Sequence, residues 1–210
     1  MKRVWRKIFG NRMSIVNKQQ GSEYYDRAFE DNKGWREHYT KSPYYMMWTV
    51  IIDRLRRCGS RKILEIGCGP GQLANAVYDS DIVDSYVGID FSSTGIRLAR
   101  LACPQFQFEH TDALTTNLIE ELEYDTVLTT EFLEHIEQDI DIIRRVRPGV
   151  RLIATVPNFP YVSHVRHFEN SEEVIGRYEC FFEDYSVVVI PANEKGKRFF
   201  LMEGTRLSTI

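Results

Sequence analysis

An α/β fold on a mainly parallel sheet is predicted by the order of hydrophobic patterns in this 210-residue chain. Three observations carry that prediction. First, short apolar runs at 62–66, 85–89, 106–108, 125–129 and 150–156 alternate with helix-patterned stretches at about 71–79, 92–102, 115–121 and 137–146. Strand–helix–strand alternation implies right-handed crossovers and a parallel sheet with helices on both faces. Second, the first run enters a glycine-rich turn, Gly67-Cys-Gly-Pro-Gly71, that opens a helix, and such turns sit where open parallel sheets bind ligands. Third, the pattern changes at the end of the chain. Segments at about 185–190 and 197–206 flank the turn-like Asn193-Glu-Lys-Gly196, a hairpin that gives the sheet an antiparallel C-terminal edge.

Composition bounds the rest. A chain of 24.6 kDa with 43% hydrophobic and 27% charged residues fits one soluble domain with one sizeable core. Its 12% aromatic content argues against disorder, and no run of about 18 apolar residues suggests a membrane-spanning helix. The net charge of −3 argues against a dedicated nucleic-acid binder with a broad basic face. The charge is uneven, however. Residues 1–22 carry Lys2, Arg3, Arg6, Lys7, Arg12 and Lys18 and no acid, which leaves the remainder at −9. This basic tail reads as a solubilising terminus, or as an amphipathic start that meets a membrane surface or nucleic acid. It lacks the continuous apolar segment of a secretory signal, so the expected location is cytoplasmic. The expected organisation is the tail at 1–22, a helical cap at 23–58 and the sheet-bearing core at 59–210. Cysteines 58, 68, 103 and 180 have neither disulfide-framework nor zinc-site spacing, and no chemistry is assigned to them.

Within the cap, Ser22 is placed to start one helix and Ser42-Pro43 to open a second. The second runs from Tyr44 to about Arg57, with apolar residues at 44, 47, 48, 51, 52 and 55, and stops at Gly59-Ser60. The core then offers a row of acids at strand ends. Glu65 precedes the glycine turn, Asp90 ends the second strand, Asp112 follows the third and Glu131 follows the fourth. An acid about 20 residues beyond such a turn is placed to accept hydrogen bonds from ribose hydroxyls. The third glycine comes one residue earlier than in a dinucleotide fingerprint, and Glu65 would repel a pyrophosphate. The turn therefore suits a nucleoside-like ligand with a positive centre better than a dinucleotide, which counts against a nicotinamide-dependent dehydrogenase.

Taken in order, Glu65-Ile-Gly-Cys-Gly-Pro-Gly71, Gly88-Ile-Asp-Phe-Ser92, Thr111-Asp-Ala113 and Glu131-Phe-Leu-Glu-His-Ile136 resemble the successive motifs of class I S-adenosylmethionine-dependent methyltransferases. The resemblance spans about residues 60–160. It implies a Rossmann-like, seven-stranded, mainly parallel sheet with a reversed C-terminal hairpin, and S-adenosyl-L-methionine as cofactor. By position it implies that Glu65 and the backbone of Gly67 and Gly69 face the methionyl part. Asp90 holds the ribose hydroxyls and Phe91 packs beside the adenine. Asp112 and the Ala113 amide meet the adenine edge, and Glu131 lines the pocket. In similar enzymes a helical segment before the core folds over the cofactor, which makes Tyr39, Tyr45 or Trp35 candidates to cap the sulfonium.

Glu131, Glu134 and His135 have the spacing of one helix face, and His164 and His167 follow the fifth strand. Two readings fit. In one, His167 or His164 takes a proton from a substrate hydroxyl, with His135 a further catalytic candidate. In the other, Glu131, Glu134, His135 and His167 hold Mg²⁺ or another divalent ion that acidifies the hydroxyl. The Glu-x-x-Glu-His run is similar to that of small-RNA 2′-O-methyltransferases and ubiquinone-pathway O-methyltransferases, although the fuller histidine motif of the RNA enzymes is absent. With a small accessory region and an acidic body, the expected substrate is a small-molecule hydroxyl on a sugar, polyol or secondary-metabolite intermediate. A metal-dependent RNA 3′-terminal ribose 2′-O-methyltransferase and a non-catalytic cofactor-binding partner subunit are the alternatives.

Overall fold

The computed structural model describes residues 18–193 and 195–208. The basic residues expected to form a tail lie outside it, apart from Lys18. Two helices open the described chain, α1 (Ser22–Asp31) and α2 (Tyr45–Cys58), separated by two short 3₁₀ turns. The core follows as β1 (Lys62–Ile66), α3 (Gln72–Asp79), β2 (Ser85–Asp90), α4 (Ser93–Ala102), β3 (Gln107–His110), α5 (Leu118–Glu121), β4 (Thr126–Thr130), α6 (Asp139–Arg145), β5 (Arg151–Pro157), α7 (Ser171–Tyr178), β6 (Phe182–Pro191) and β7 (Arg198–Arg206).

The seven strands lie in the order β3-β2-β1-β4-β5-β7-β6. Strands β1 to β5 pair in parallel, and β7 runs antiparallel to both neighbours. The chain moves outward from β1 to β3 and then restarts beside β1 with β4. The loops after β1 and β4 therefore part in opposite directions and leave a crevice at the carboxyl edge.

Strand side chains alternate between the two faces, and each face has its own core. Leu64, Val127, Leu152 and Ala154 pack with Ile142, Ile143 and Val146 of the α6 segment and with Val174 and Tyr178 of α7. Ile63, Leu128 and Ile153 pack with Met47, Trp48, Ile51 and Leu55 of α2 and with Leu73, Ala74 and Val77 of α3. The apolar face read for the second helix is thus its buried face, and the helix ends at Gly59 in the left-handed conformation (φ 67°). Among the described residues no helix is long and apolar enough to cross a membrane.

Three elements differ from the sequence pattern. The stretch expected as a helix from 115 shortens to Leu118–Glu121, because the Asp112 carbonyl turns the chain first by accepting the Thr115 and Thr116 N–H groups (3.1 and 2.9 Å). Helix α7 falls where the sequence pattern predicts no element. It is fixed by a buried polar cluster in which Asp139 accepts two bonds from Arg177 (both 2.8 Å) and one from the Tyr178 hydroxyl (2.7 Å). The segment 131–135 is not a helix. It is a single 3₁₀ turn, Leu133–His135, preceded by Glu131 at a positive φ of 51°.

Candidate functional site

The carboxyl edge of the sheet holds two adjoining cavities. The first lies between the glycine turn and the ends of β2, β3 and β4. Its walls include Ile89, Phe91, Ala113, Leu114, Phe132 and Ile136, with Asp90, Asp112 and Glu131 as the acids. The turn is held by its own backbone. The Gly67 and Cys68 N–H groups both donate to the Ile89 carbonyl (2.9 and 3.1 Å). Gly67 has φ 78°, and a Cβ there would meet the Phe132 ring at 2.5 Å. At Gly71 a Cβ would meet the Ala99 backbone at 2.8 Å, so the turn and α4 approach as closely as glycine allows.

Asp90 is the hinge of this pocket. Its Oδ2 accepts the Gly69 N–H (2.9 Å) and its Oδ1 accepts the Ser92 N–H (2.8 Å). An ionised carboxylate has about four acceptor sites, so one on each oxygen remains for a ligand. Burial pushes the group up to about 6, against the opposing pull of the two amide bonds. Asp112 accepts the Leu114 N–H (2.8 Å) and stands at the open end. Glu65 is buried and accepts the Tyr86 hydroxyl (2.5 Å), and burial pushes it up to about 7. It faces the second cavity, as do Gly67 and Gly69, which line both.

Helix α1 covers the junction. Its Asp26 accepts the Ser92 hydroxyl (2.6 Å) and the Thr94 N–H (2.8 Å) at the start of α4, where an acid also meets the positive end of the helix dipole. This contact seats Tyr25 and Phe29 on the walls of both cavities. The Tyr25 ring meets His135 edge-on (5.8 Å) and lies against Phe91 (5.4 Å), and its hydroxyl is buried. The aromatic at the junction is therefore Tyr25, which the sequence did not single out. Tyr39 is on neither wall, and its hydroxyl donates to Asp79 (2.8 Å) on the outer side of α3. Tyr45 is solvent-exposed, and Trp35 lines the second cavity.

At the far side of the junction, the loops after β4 and β5 bring Glu134, His135 and His164 together. One ligand-type atom from each lies within 4.8 Å of the others. His135 Nδ1 donates to the Ser163 carbonyl (2.9 Å) and His164 Nδ1 donates to the Phe159 carbonyl (3.0 Å). A carbonyl only accepts, so each ring carries its proton on Nδ1 and keeps an Nε2 lone pair. Burial holds the imidazoles down, to about 4 for His135 and about 3 for His164, so both are neutral at cellular pH. Glu134 is buried, neither of its oxygens has a hydrogen-bond partner, and Oε1 lies 3.7 Å from His135 Nε2. Burial and the neighbouring Glu131 raise its carboxyl well above the usual range.

This turn is pinned from behind by Arg166. Its guanidinium donates to the carbonyls of Leu133, Ile136 (2.5 Å) and Glu137 (3.1 Å) and pairs with Asp139 (3.3 Å). Glu131 lines both cavities, and its backbone N–H and carboxylate both bond the Thr155 hydroxyl (3.0 and 3.2 Å). His167 is exposed and lines neither cavity, so the buried partner of His135 is His164.

A seven-stranded sheet of this order, with a reversed seventh strand and a glycine-turn pocket at its carboxyl edge, has the class I methyltransferase architecture. Residues 64–151 match the family described as "Methyltransferase domain". An 85-residue stretch is 31% identical to "Putative methyltransferase 235L" of Invertebrate iridescent virus 6 and covers 40% of this chain but only 31% of that relative. Among solved structures, the fold is similar to the N-methyltransferase NodS from Bradyrhizobium japonicum WM9 in complex with S-adenosyl-L-homocysteine. The TM-score is 0.63 at 18% identity, over 90% of this chain and 98% of that one. It is also similar to the small RNA methyltransferase HEN1, with TM-score 0.62 at 15% identity, over 78% of this chain and 25% of that one. Residues 64–151 thus carry a methyltransferase domain, on the fold of S-adenosylmethionine-dependent methyltransferases.

Proposed function

We propose that the chain transfers the methyl group of S-adenosylmethionine to a hydroxyl of a small molecule, with the Glu134–His135–His164 cluster receiving the hydroxyl proton. The first cavity fits the nucleoside. Asp90 has one free acceptor site on each oxygen for two ribose hydroxyls, and the apolar wall of Phe91, Ala113, Leu114 and Ile136 suits a purine. When bound, the cofactor supplies a methyl group on a sulfonium, a good leaving group. What the protein adds is position and a place for the proton.

The observation that carries the reading is the cluster itself. Two imidazole lone pairs converge beside a buried carboxyl group whose oxygens have no hydrogen-bond partner. Buried polar groups call for partners. A substrate hydroxyl entering from the second cavity gives an imidazole lone pair a donor. His135 and His164 line the second cavity and Glu134 lines neither, so an imidazole Nε2 takes the hydroxyl proton and Glu134, 3.7 Å from His135 Nε2, stabilises the imidazolium that results. Glu134→Gln is expected to reduce turnover at least about 100-fold, within the range for disabling a general base, while cofactor affinity stays within two-fold. Unchanged turnover would remove the proposed role of Glu134 beside His135.

The same three groups favour a second reading. Two Nε2 atoms, each with its Nδ1–H on a backbone carbonyl, and one carboxylate form the donor set of a divalent-ion site, and such an ion would acidify a nearby hydroxyl. Addition of Co²⁺ to chelator-treated protein distinguishes the two. A visible absorption band and a raised melting temperature, both lost in His164→Gln, would establish the ion. Full activity of metal-free protein would assign the cluster to proton transfer alone.

A further inference from the structure

The second cavity runs outward from the cluster, and its wall has a composition that neither cofactor binding nor proton transfer requires. Trp35, Tyr44, Trp48, Phe159 and Tyr161 line it. Several are already stacked or tilted against one another. Trp35 lies nearly parallel to Tyr44 (16° between planes, centroids 6.2 Å apart), and Tyr44 packs against Trp48 at 5.9 Å. The ionised groups on this wall are unbalanced. Asp31 and Glu37 stand at the mouth, where Lys33 is the one lysine or arginine among the lining residues, while burial pushes the deeper Glu65 and Glu131 up to about 7 and about 8. The two histidines on the wall are neutral. Lys197 lies over the Phe159 ring at 4.0 Å but is not among the lining residues.

From this wall we infer that the methyl acceptor is a planar hydroxyarene, uncharged or cationic, rather than a sugar phosphate, a polyanion or an RNA end. The inference rests on the methyl-transfer reading and names its substrate class. Aromatic side chains gain most from another π-ring stacked or set edge-on against them, whereas a sugar offers only a C–H face. A mouth with two carboxylates and one ammonium disfavours phosphate and carboxylate ligands. The chemistry agrees with this. A phenol of the tyrosine type has a pKa of about 10, far closer to neutrality than an alcohol's, so it needs a weaker proton acceptor. The proton passes to an imidazole of the cluster, the arene oxygen bonds to the methyl carbon, and the carbon–sulfur bond breaks with its electron pair going to sulfur. The products are a methyl aryl ether, S-adenosylhomocysteine and a proton later lost to water.

The test uses 2-naphthol, its anionic analogue 3-hydroxy-2-naphthoate and a short RNA with a free 3′ end as probes. Each is titrated against the full chain with tryptophan fluorescence as readout, with and without S-adenosylhomocysteine, and then assayed for methyl transfer from labelled S-adenosylmethionine. Saturable 2-naphthol binding is expected, at least ten-fold tighter than the naphthoate at low salt, with the gap narrowing as salt rises. Trp35→Leu should weaken 2-naphthol at least ten-fold. Asp31→Asn with Glu37→Gln, both at exposed positions, should improve the naphthoate about three-fold without touching the stacking wall. Lack of saturation by 2-naphthol, or equal or tighter binding of the naphthoate or the RNA, would overturn the substrate class. The arene titration does not need the cofactor. Arene binding with no cofactor binding would therefore remove the methyl-transfer reading and uphold the wall's preference. Cofactor binding with methyl transfer only to RNA would do the reverse.

Discussion

The glycine turn and the turn after β4 face each other across one crevice, yet they are built from different materials. In the first, backbone shapes the pocket. Three glycines at positive φ, the Ile89 carbonyl and two amides on Asp90 fix a surface that a nucleoside can approach closely. In the second, side chains define the site. Glu134, His135 and His164 come from two loops with little regular structure, and their positions depend on Arg166 binding three carbonyls from behind. The difference teaches where specificity is free to change. A backbone-built pocket keeps its ligand as long as the strand–turn–helix unit persists. A side-chain cluster on irregular loops can be altered by single substitutions, and a common fold can serve many acceptors that way.

The largest expected effect lies on the backbone-built side. Asp90→Ala removes both free acceptor sites and both amide bonds. Hydrogen bonds to a charged group contribute about 1.5–3 kcal/mol each, so cofactor affinity should fall at least about 100-fold. Isothermal titration with S-adenosylhomocysteine measures this. Affinity within three-fold of the parent would mean that Asp90 serves only the glycine turn.

On the side-chain-built side, Arg166→Met should cost about 2–4 kcal/mol of stability in urea unfolding, because three carbonyls lose their donor and Asp139 loses one of its two arginines. The sharper readout is kinetic. Turnover should fall with cofactor affinity nearly unchanged, since Arg166 lines neither cavity. An equal loss in both would show that the two halves of the crevice are not independent.

How much of this was legible follows the same division. Strands β1 to β5, the reversed hairpin, and the positions of Gly67, Asp90 and Asp112 at the carboxyl-edge pocket could be read because backbone-built sites leave a fixed spacing in the chain. The cluster was read only in part. Glu134 and His135 are neighbours in sequence, but the choice between His164 and His167 depends on how the 158–167 loop folds, and no periodicity encodes that. The single-helix reading of 131–135 failed because Glu131 takes a left-handed φ, which local propensity does not foresee for a glutamate. Tyr25 was missed because its helix reads as amphipathic without revealing what it packs on. Asp26, bonding across 66 residues to Ser92, decides that. Nothing in the chain near Arg166 marks it as a staple.

A smaller effect separates the regions by pH. Burial raises Glu65 to about 7 from its ordinary value of 4.5. An acid raised on folding binds its proton more tightly in the native state. Its contribution is therefore fully present below about pH 4.5 and is lost as pH rises through about 7. Each tenfold change in proton affinity is worth about 1.4 kcal/mol, so Glu65→Gln should flatten the decline in stability of the cofactor-free protein over that window by about 2–3 kcal/mol. Unfolding midpoints at pH 5 and pH 8 measure it. A decline of the same steepness in the variant would place its origin elsewhere, with Asp90 the next acid to replace.

The smallest effect tests which aromatic belongs to the crevice. The Tyr39 hydroxyl makes one exposed bond to Asp79, so Tyr39→Phe should change stability by no more than about 1 kcal/mol and leave cofactor affinity unchanged. Tyr25→Ala is the contrast. It removes a ring that touches Phe91 and His135 and lines both cavities, so both cofactor affinity and turnover should fall. If Tyr39→Phe were the more damaging of the two, the 3₁₀ segment that carries Tyr39 would have to close over the pocket in the working enzyme. The division between a backbone-built cofactor site and a side-chain-built acceptor site would then need a third part that moves.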